Sequence, residues 1–391
     1  MLRFAIVLAA VLLSPPAFAR TWLIHPDGTG DAPTIQAAVD STAMGDTIYV
    51  TAGEYEGPVR LKLETHLVGE PPRGSAAILG PPTSSLSVEV FSGTVSGLRL
   101  GGVGGTGYGY APTVISSHDA VVQDCILESS FYVAESTGSL TILDCEIRDC
   151  AGGVRHYGER LEVRRCTFET DHVYETSIGI AGPWLEPADL IVTDCVFRQG
   201  TASTEPSWQP SIGWLVQSPI RAVIAGNLFL HAHGPAAAAT EWSVVNRQPS
   251  PGRQGQSSVE ISGNTIVGGS GAGLGNDYGL PSGTIIHGNA FVGNETGLDL
   301  TDAPGAVVTC NLSWGNAHNW AGSPDPTGID GNLSASPLFC DYAADNFTAA
   351  ANSPLLAPNN ECGLQIGAFG QGCGPVSVTP TTWGAIKGAY R

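Results

Sequence analysis

A short phrase repeated through the middle of the chain constrains the fold more than any other sequence feature. Each copy places an apolar residue three positions before a Cys or Asn and another apolar residue two positions after it. The copies centre on Cys125, Cys145, Cys166, Cys195, Asn227, Asn264 and Asn289. A repeat that short, with strand-like alternation and connections of variable length, predicts a solenoid of parallel strands built as one long domain.

The charge balance limits the kinds of partner. The formal net charge is −19, and Lys62 and Lys387 are the only lysines in the sequence. Nucleic-acid binding depends on phosphate neutralisation by Lys and Arg, so this composition argues against it. It argues less strongly against a polyanionic glycan, because a local arginine patch can offset the overall field. A hydrophobic content of 42% is too high for a disordered chain.

The N-terminal stretch predicts export. Residues 1–19 combine Arg3, an apolar run and a final Ala-Phe-Ala, which is the pattern of a cleaved secretory signal peptide. The run is too short for a membrane span. We therefore expect a secreted or cell-surface protein, with a periplasmic location as a further alternative. The expected domains are the signal peptide at 1–19, a repeat domain at 20–373, and a linker and short tail at 374–391.

Nine cysteines allow two interpretations. Neighbouring strands lie about 4.8 Å apart, slightly beyond the usual Cβ–Cβ distance of a disulfide. The four repeat cysteines are therefore expected to form a stack of buried free thiols rather than disulfides. Cys362 and Cys373 flank a glycine-rich turn and form the predicted disulfide, and Cys310 with Cys340 is a second candidate pair.

A capping segment precedes the repeats. Ile35, Ala38 and Val39 fall on one face of a predicted helix, and Pro33 suits a first helical turn. Short strands follow in Thr47–Val50 and Val59–Leu63. A solenoid needs such a cap, because its first coil would otherwise expose backbone edges and apolar side chains to water.

These N-terminal residues resemble a known family. Asp27-Gly-Thr-Gly-Asp31, Thr34-Ile-Gln-Ala-Ala-Val39, Gly45-Asp-Thr-Ile-Tyr-Val50 and Gly53-Glu-Tyr55 are similar to the N-terminal cap of secreted bacterial β-helix proteins of the pectin-lyase-like superfamily. The resemblance implies an all-β, right-handed parallel β-helix of about ten coils with a short capping helix. It places the cap at about 22–55 and a C-terminal closing segment at about 315–373.

The same resemblance transfers no catalytic residue. The sequence lacks the Gly-His-Gly motif of polygalacturonases, the Asp-Phe-x-Phe-Gly motif of pectin methylesterases and the Arg-x-Pro-x-x-Arg motif of pectate lyases. Groups suited to β-elimination nevertheless occur on adjacent predicted connections, where Arg and Tyr or His can serve as base and acid. These candidate catalytic residues are Arg155, His156, Tyr157, His172 and Tyr174. Ordinary polar loop residues are the alternative interpretation.

Aromatic residues on the connections form a candidate binding set. Tyr and Trp rings on loops of a rigid scaffold can stack against sugar faces. The set comprises Tyr108, Tyr110, Trp184, Trp208, Trp214 and Trp242. If the strands stack in register, these loops would share one cleft; loops pinned by aromatic packing are the alternative.

Metal binding has little support in the sequence. His231 and His233 would face one side of a strand, but no further ligands have suitable spacing. Asp325, Asp330, Asp341 and Asp345 could bind Ca²⁺, although such residues are common in turns. We predict no metal site and no cofactor, with Ca²⁺ as the exception if the protein is a lyase.

The sequence therefore favours a secreted, monomeric and non-catalytic module that binds a polysaccharide or another cell-envelope component. The alternative function is a polysaccharide lyase or glycoside hydrolase.

Overall fold

The computed structural model is a right-handed parallel β-helix, as predicted. It describes residues 19–81, 86–102, 113–128, 132–150, 152–170, 177–180, 188–199, 211–215, 220–230, 237–240, 257–269, 271–275, 280–301, 303, 305–322 and 324–376. Among these residues, no helix is long and apolar enough to cross a membrane.

The elements are short because each coil turns three times. In chain order the first are β1 (Thr21–Ile24), α1 (Ile35–Ser41), β2 (Thr47–Val50), β3 (Gly53–Glu56), β4 (Val59–Leu61), β5 (Thr65–Gly69), β6 (Ala76–Gly80), β7 (Val88–Ser96), β8 (Leu98–Gly102), β9 (Thr113–Gln123), β10 (Ile126–Glu128), β11 (Tyr132–Ser136) and β12 (Ser139–Leu143). The central coils continue with β13 (Glu146–Arg148), β14 (Val154–His156), β15 (Arg160–Arg164), β16 (Thr167–Thr170), β17 (Ile178–Ile180), β18 (Ala188–Thr193), β19 (Val196–Gln199), β20 (Ile212–Leu215), β21 (Ile220–Ala225), β22 (Leu228–Leu230), β23 (Ala237–Thr240) and β24 (Ser258–Ser262). The last elements are β25 (Thr265–Val267), β26 (Ala272–Leu274), β27 (Ile285–His287), β28 (Ala290–Val292), β29 (Thr296–Asp299), β30 (Val307–Thr309), β31 (Leu312–Trp314), β32 (His318–Ala321), β33 (Phe339–Asp341), β34 (Asn346–Ala350) and β35 (Gln371–Cys373), with 3₁₀ turns at Tyr342–Ala344 and Ala357–Asn359.

Three faces run along the helix axis. Face 1 contains β1, β2, β5, β12, β15, β18, β21, β24, β27, β30 and the C-terminal parts of β7 and β9. Face 2 is an eleven-stranded sheet that runs from β3 to β31. Face 3 contains β4, β11, β14, β17, β20, β23 and the N-terminal parts of β7 and β9, and the sheet β26–β29–β32 takes its place in the later coils. All of these pairings are parallel and in register, so equivalent residues of successive coils stack directly above one another.

The N-terminal cap is confirmed in its main features. Helix α1 buries Ile35, Ala38 and Val39 against the first strands, as predicted. Its N-cap is Thr34, whose side-chain oxygen accepts a hydrogen bond from the Ala37 N–H at 3.1 Å. Pro33 therefore lies before the cap rather than in the first helical turn, because a Thr side chain supplies the acceptor that the helix end needs.

The repeat position of the sequence marks the corner between face 1 and face 2. Cys125, Cys145, Cys166 and Cys195 are buried free thiols, as predicted, and they pass into the Asn series in register. The backbone N–H of each residue donates to the side chain of the next coil: Cys166 N to Cys195 Sγ at 3.5 Å, and Cys195 N to Asn227 Oδ1 at 2.9 Å. We call this column of stacked Cys and Asn side chains the ladder. Its thiols thus form hydrogen bonds as well as serving as small apolar residues.

The closing segment corrects the predicted disulfides. Cys362 bonds to Cys310 and Cys373 bonds to Cys340, so neither predicted pair forms. The segment folds back over the outer surface of face 2, where Phe347, Leu355 and Ile366 bury a second apolar cluster. This return brings Cys362 beside a coil more than fifty positions earlier, a proximity that spacing in the sequence does not reveal.

Candidate functional site

The predicted catalytic set includes three consecutive residues that lie on face 3. Arg155 and His156 belong to β14, and Tyr157 follows it directly. The sequence interpretation placed them on a connection, but a strand alternates its side chains between two sides. Arg155 and Tyr157 are consequently half-buried on one side, whereas His156 points to the other side and is fully buried.

The burial of His156 corrects its predicted role. With no exposed surface, its imidazole cannot contact a substrate on the outside of the helix. Desolvation by burial lowers its pKa to about 4. The ring is therefore neutral at neutral pH and is a core residue rather than a general acid or base.

Arg155 lies between two aromatic rings. Its guanidinium carbon is 4.9 Å from the ring centroid of Tyr132 and 5.4 Å from that of Tyr157. Both distances are within the range of a cation–π interaction. Glu135 is its register partner on the preceding coil of face 3. The arrangement fixes the position of the Tyr157 ring at the edge of this face.

A line of side chains follows the corner between face 3 and face 1, and we call it the corner strip. It comprises Phe91, His118, Thr137 and Tyr157, one from each of four successive coils. The backbone confirms the alignment: Thr137 N donates to Ser117 O at 3.1 Å, and Tyr157 N donates to Ser136 O at 2.8 Å. Successive coils are about 4.8 Å apart, so the strip extends along the helix axis.

The corner strip is exposed and partly aromatic. Phe91 is 56% exposed, and its ring centroid lies 5.2 Å from that of His118. The His118 side chain is 46% exposed, and its Nδ1 lies 3.2 Å from the Thr137 hydroxyl oxygen. Its Nε2 lies 3.8 Å from the Asp119 carboxylate. The strip therefore combines an apolar ring face with groups that donate and accept hydrogen bonds.

Most of the other predicted residues lie outside the described part of the chain. These are the catalytic candidates His172 and Tyr174, the aromatic candidates Tyr108, Tyr110, Trp184, Trp208 and Trp242, and the pair His231 and His233. The backbone of Trp214 is described in β20, in register with Ile180 of β17. The shared aromatic cleft remains a prediction.

The acidic residues considered for Ca²⁺ occupy turns. The Asp325 carboxylate accepts from the Thr327 N–H at 2.8 Å, and Asp341 caps a 3₁₀ turn. Asp330 and Asp345 have the left-handed backbone conformation, and Asp345 also forms an ion pair with Arg198 at 3.3 Å. Within the described ranges, no three His, Cys, Asp or Glu side chains are grouped as metal ligands.

Sequence reasoning missed Phe91, His118 and Thr137. They occur at bends inside or beside long strands, where no recurring letter marks the corner. Only the register of four coils brings them together with Tyr157. Each of these residues directly follows an inward-facing residue at this corner. A comparison of that position in successive coils would have found them.

A comparison with protein families supports the architecture. A family described as "Right handed beta helix region" matches residues 129–313. No curated protein matches the chain. The family match supports the right-handed β-helix fold over these residues.

Several solved structures are similar to this chain. Alginate lyase AlyF-OU02 has a TM-score of 0.44 and 14% identity, and the match covers 77% of this chain and 60% of that one. A mutant of the PL6 family alginate lyase AlyGC has a TM-score of 0.43 and 13% identity, with 81% and 40% covered. A PL6 alginate lyase in complex with a trisaccharide has a TM-score of 0.41 and 14% identity, with 79% and 62% covered. This chain thus spans less than two thirds of each of these proteins, and at such identities the likeness concerns the fold alone.

Proposed function

We propose that this protein is a secreted, non-catalytic, carbohydrate-binding β-helix whose corner strip holds an extended glycan. The observation that carries the proposal is the exposed Phe91 ring, which lies against His118 and in line with Tyr157. The exposed Phe91 ring and the half-buried Tyr157 ring, aligned along one axis, present apolar faces to a linear partner.

The chemistry of the strip suits a sugar chain. A sugar ring has an apolar C–H face and a rim of hydroxyl groups. Phe91 and Tyr157 can pack against such faces, while His118 and Thr137 can exchange hydrogen bonds with the hydroxyls. Because one strip residue recurs on each coil, the contacts repeat along the axis as the sugars do along a glycan.

The electrostatics favour a neutral glycan. The whole chain carries a formal charge of −19, and Asp119 lies beside the strip. A polyanion would meet repulsion from this field. Neutral polysaccharides are therefore the expected ligands.

The cysteine chemistry supports a location outside the cytoplasm. Two disulfides fasten the closing segment, and disulfides persist in oxidising compartments. Together with the predicted signal peptide, they support secretion of the chain.

A panel of neutral and acidic polysaccharides tests the proposal. In affinity gels we expect retention by at least one neutral polysaccharide, with weaker retention of Phe91→Ala and Tyr157→Ala. Met44→Ala is the matched control, because it removes an apolar side chain that is 64% exposed elsewhere on the surface.

The same panel separates binding from catalysis. Unsaturated products are followed by ultraviolet absorbance and hydrolysis products by reducing ends. Product formation would establish the lyase or hydrolase alternative instead. Retention that is unchanged in both aromatic variants would show that the corner strip is not the binding surface.

A further inference from the structure

A separate groove lies at the corner between face 1 and face 2. Its volume is about 570 Å³, within the range of small-molecule sites. One wall consists of outward-facing residues of face 1, and the closing segment forms the other wall. The polar side chains of the lining belong to Arg164, Thr193, Asp194, Ser262, His287 and Gln365.

The groove exists because its floor has no side chains. In every coil from Cys125 to Asn311, the residue that directly precedes the ladder Cys or Asn has a left-handed backbone conformation. Asp124, Asp144, Arg165, Asp194 and Cys310 adopt φ values of 50° to 57° there. In the three coils between Asp194 and Cys310, the same position is glycine: Gly226, Gly263 and Gly288.

The backbone does not require glycine at this position, since Asp and Arg occupy it in other coils. What the glycines provide is space. A Cβ added to Gly263 would meet only the Gly226 nitrogen, at 3.9 Å. At Gly288 the neighbours are Leu364 and Gln365 of the closing segment, so part of the space admits that segment and the remainder is the groove.

The closing segment holds its wall firmly. Gly367 N donates to Gly288 O at 2.7 Å, and Ala368 N donates to Thr265 Oγ1 at 2.9 Å. The Cys310–Cys362 disulfide anchors the segment directly before the residues that form this wall. The groove is therefore formed before any ligand binds, which reduces the ordering cost of binding.

Several polar groups on the face 1 wall interact with neighbouring carboxylates of the same face. Arg164 forms an ion pair with Glu162, and His287 Nε2 lies 3.4 Å from Glu260 Oε1. Ser262 Oγ donates to the same Glu260 oxygen at 3.2 Å.

We infer that this groove binds a short neutral saccharide, a unit of one or two sugars. Sugar hydroxyls both donate and accept, which matches the hydroxyl, amide and imidazole groups of the lining. The site differs from the corner strip in position and in ligand length, and it does not depend on the strip binding a glycan.

A variant that fills the groove provides the test. Gly263→Asn adds a side chain that tolerates the left-handed backbone, as Asp194 does at the same position two coils earlier. Gly328→Asn is the matched control, because this glycine is also left-handed and a Cβ there meets nothing within 4 Å. Both variants should keep the thermal unfolding midpoint of the original protein.

Binding is measured by calorimetry with glucose, galactose, mannose and their disaccharides. The original protein, Gly328→Asn and the corner-strip variant Phe91→Ala should bind at least one of these sugars saturably, and Gly263→Asn should lose at least tenfold in affinity. Absence of saturable binding to every sugar, or equal binding by Gly263→Asn, would overturn the inference. Loss of this binding in Phe91→Ala would assign it to the corner strip instead.

Discussion

At the scale of single residues, Cys and Asn perform the same task at the ladder corner. Each side chain accepts a hydrogen bond from the backbone of the preceding coil and donates to a carbonyl there. Cys195 Sγ lies 3.7 Å from Val163 O, and Asn227 Nδ2 donates to Val192 O at 3.0 Å. The change from Cys to Asn along the chain therefore preserves the connection between coils and replaces a weak donor with a strong one.

The Asn part of the ladder should be sensitive to truncation. Asn264 is fully buried, accepts from both the N–H and the side chain of Asn227, and donates to Ile224 O and Asn289 Oδ1. Asn264→Ala would leave these buried partners without their hydrogen bonds. It should therefore lower the free energy of unfolding by more than about 2 kcal/mol. Asn264→Cys, which reproduces the earlier coils, should lose less in urea denaturation. Equal losses would show that the hydrogen bonds contribute little.

His156 should make stability depend on pH. Burial holds its folded-state pKa near 4, below the ordinary value of 6.5. Between these values the unfolded chain binds more protons, so the free energy of unfolding falls as the pH is lowered through this window. The full contribution is about 3 kcal/mol. Urea denaturation at several pH values should show a steeper fall for the original protein than for His156→Leu, and parallel profiles would contradict the assignment.

At the scale of elements, the aromatic stack inside face 2 shows how register determines packing. Phe197 is 1% exposed and stacks on Phe168 at 4.8 Å and on Phe229 at 4.7 Å between ring centroids. The three rings come from β16, β19 and β22, which pair in parallel. Stacked coils place identical side chains directly above one another, so the stack follows from the in-register repeat.

The middle ring of the stack should be the costly one to remove. Phe197→Ala should destabilise the protein by about 3–5 kcal/mol, since it leaves a cavity between two rings. Phe197→Leu nearly preserves the volume and should cost less than about 1.5 kcal/mol. The comparison is made by urea unfolding followed by far-ultraviolet circular dichroism. Similar losses for both variants would mean that stacking geometry matters more than volume.

The sequence predicts some elements well and others poorly, for physical reasons. The Cys/Asn phrase and the capping helix were recognisable because local periodicity determines them. His156 was misplaced because β14 has only three residues, too few for its alternation to stand out from a loop. The disulfide partners were missed because the closing segment folds back along face 2, and such a return leaves no local signal.

At the scale of the whole molecule, stacking converts local patterns into long surfaces. The corner strip and the groove both arise from one residue per coil, at two different corners of the helix. Neither can be read from a single repeat, because each depends on register across several coils and, for the groove, on the closing segment. A rigid solenoid with linear surfaces is well suited to a linear partner.

Calorimetric titration with oligosaccharides of increasing length tests the central claim most directly. The ligands are taken from the neutral polysaccharide that retains the protein in the affinity gels. From Phe91 to Tyr157 the strip spans three coil steps, or about 14 Å. Affinity should therefore rise with chain length until the ligand covers this distance and then level off, and Phe91→Ala should remove most of the gain. Affinity that is independent of length, or unchanged in Phe91→Ala, would contradict the assignment of the corner strip as a glycan-binding surface.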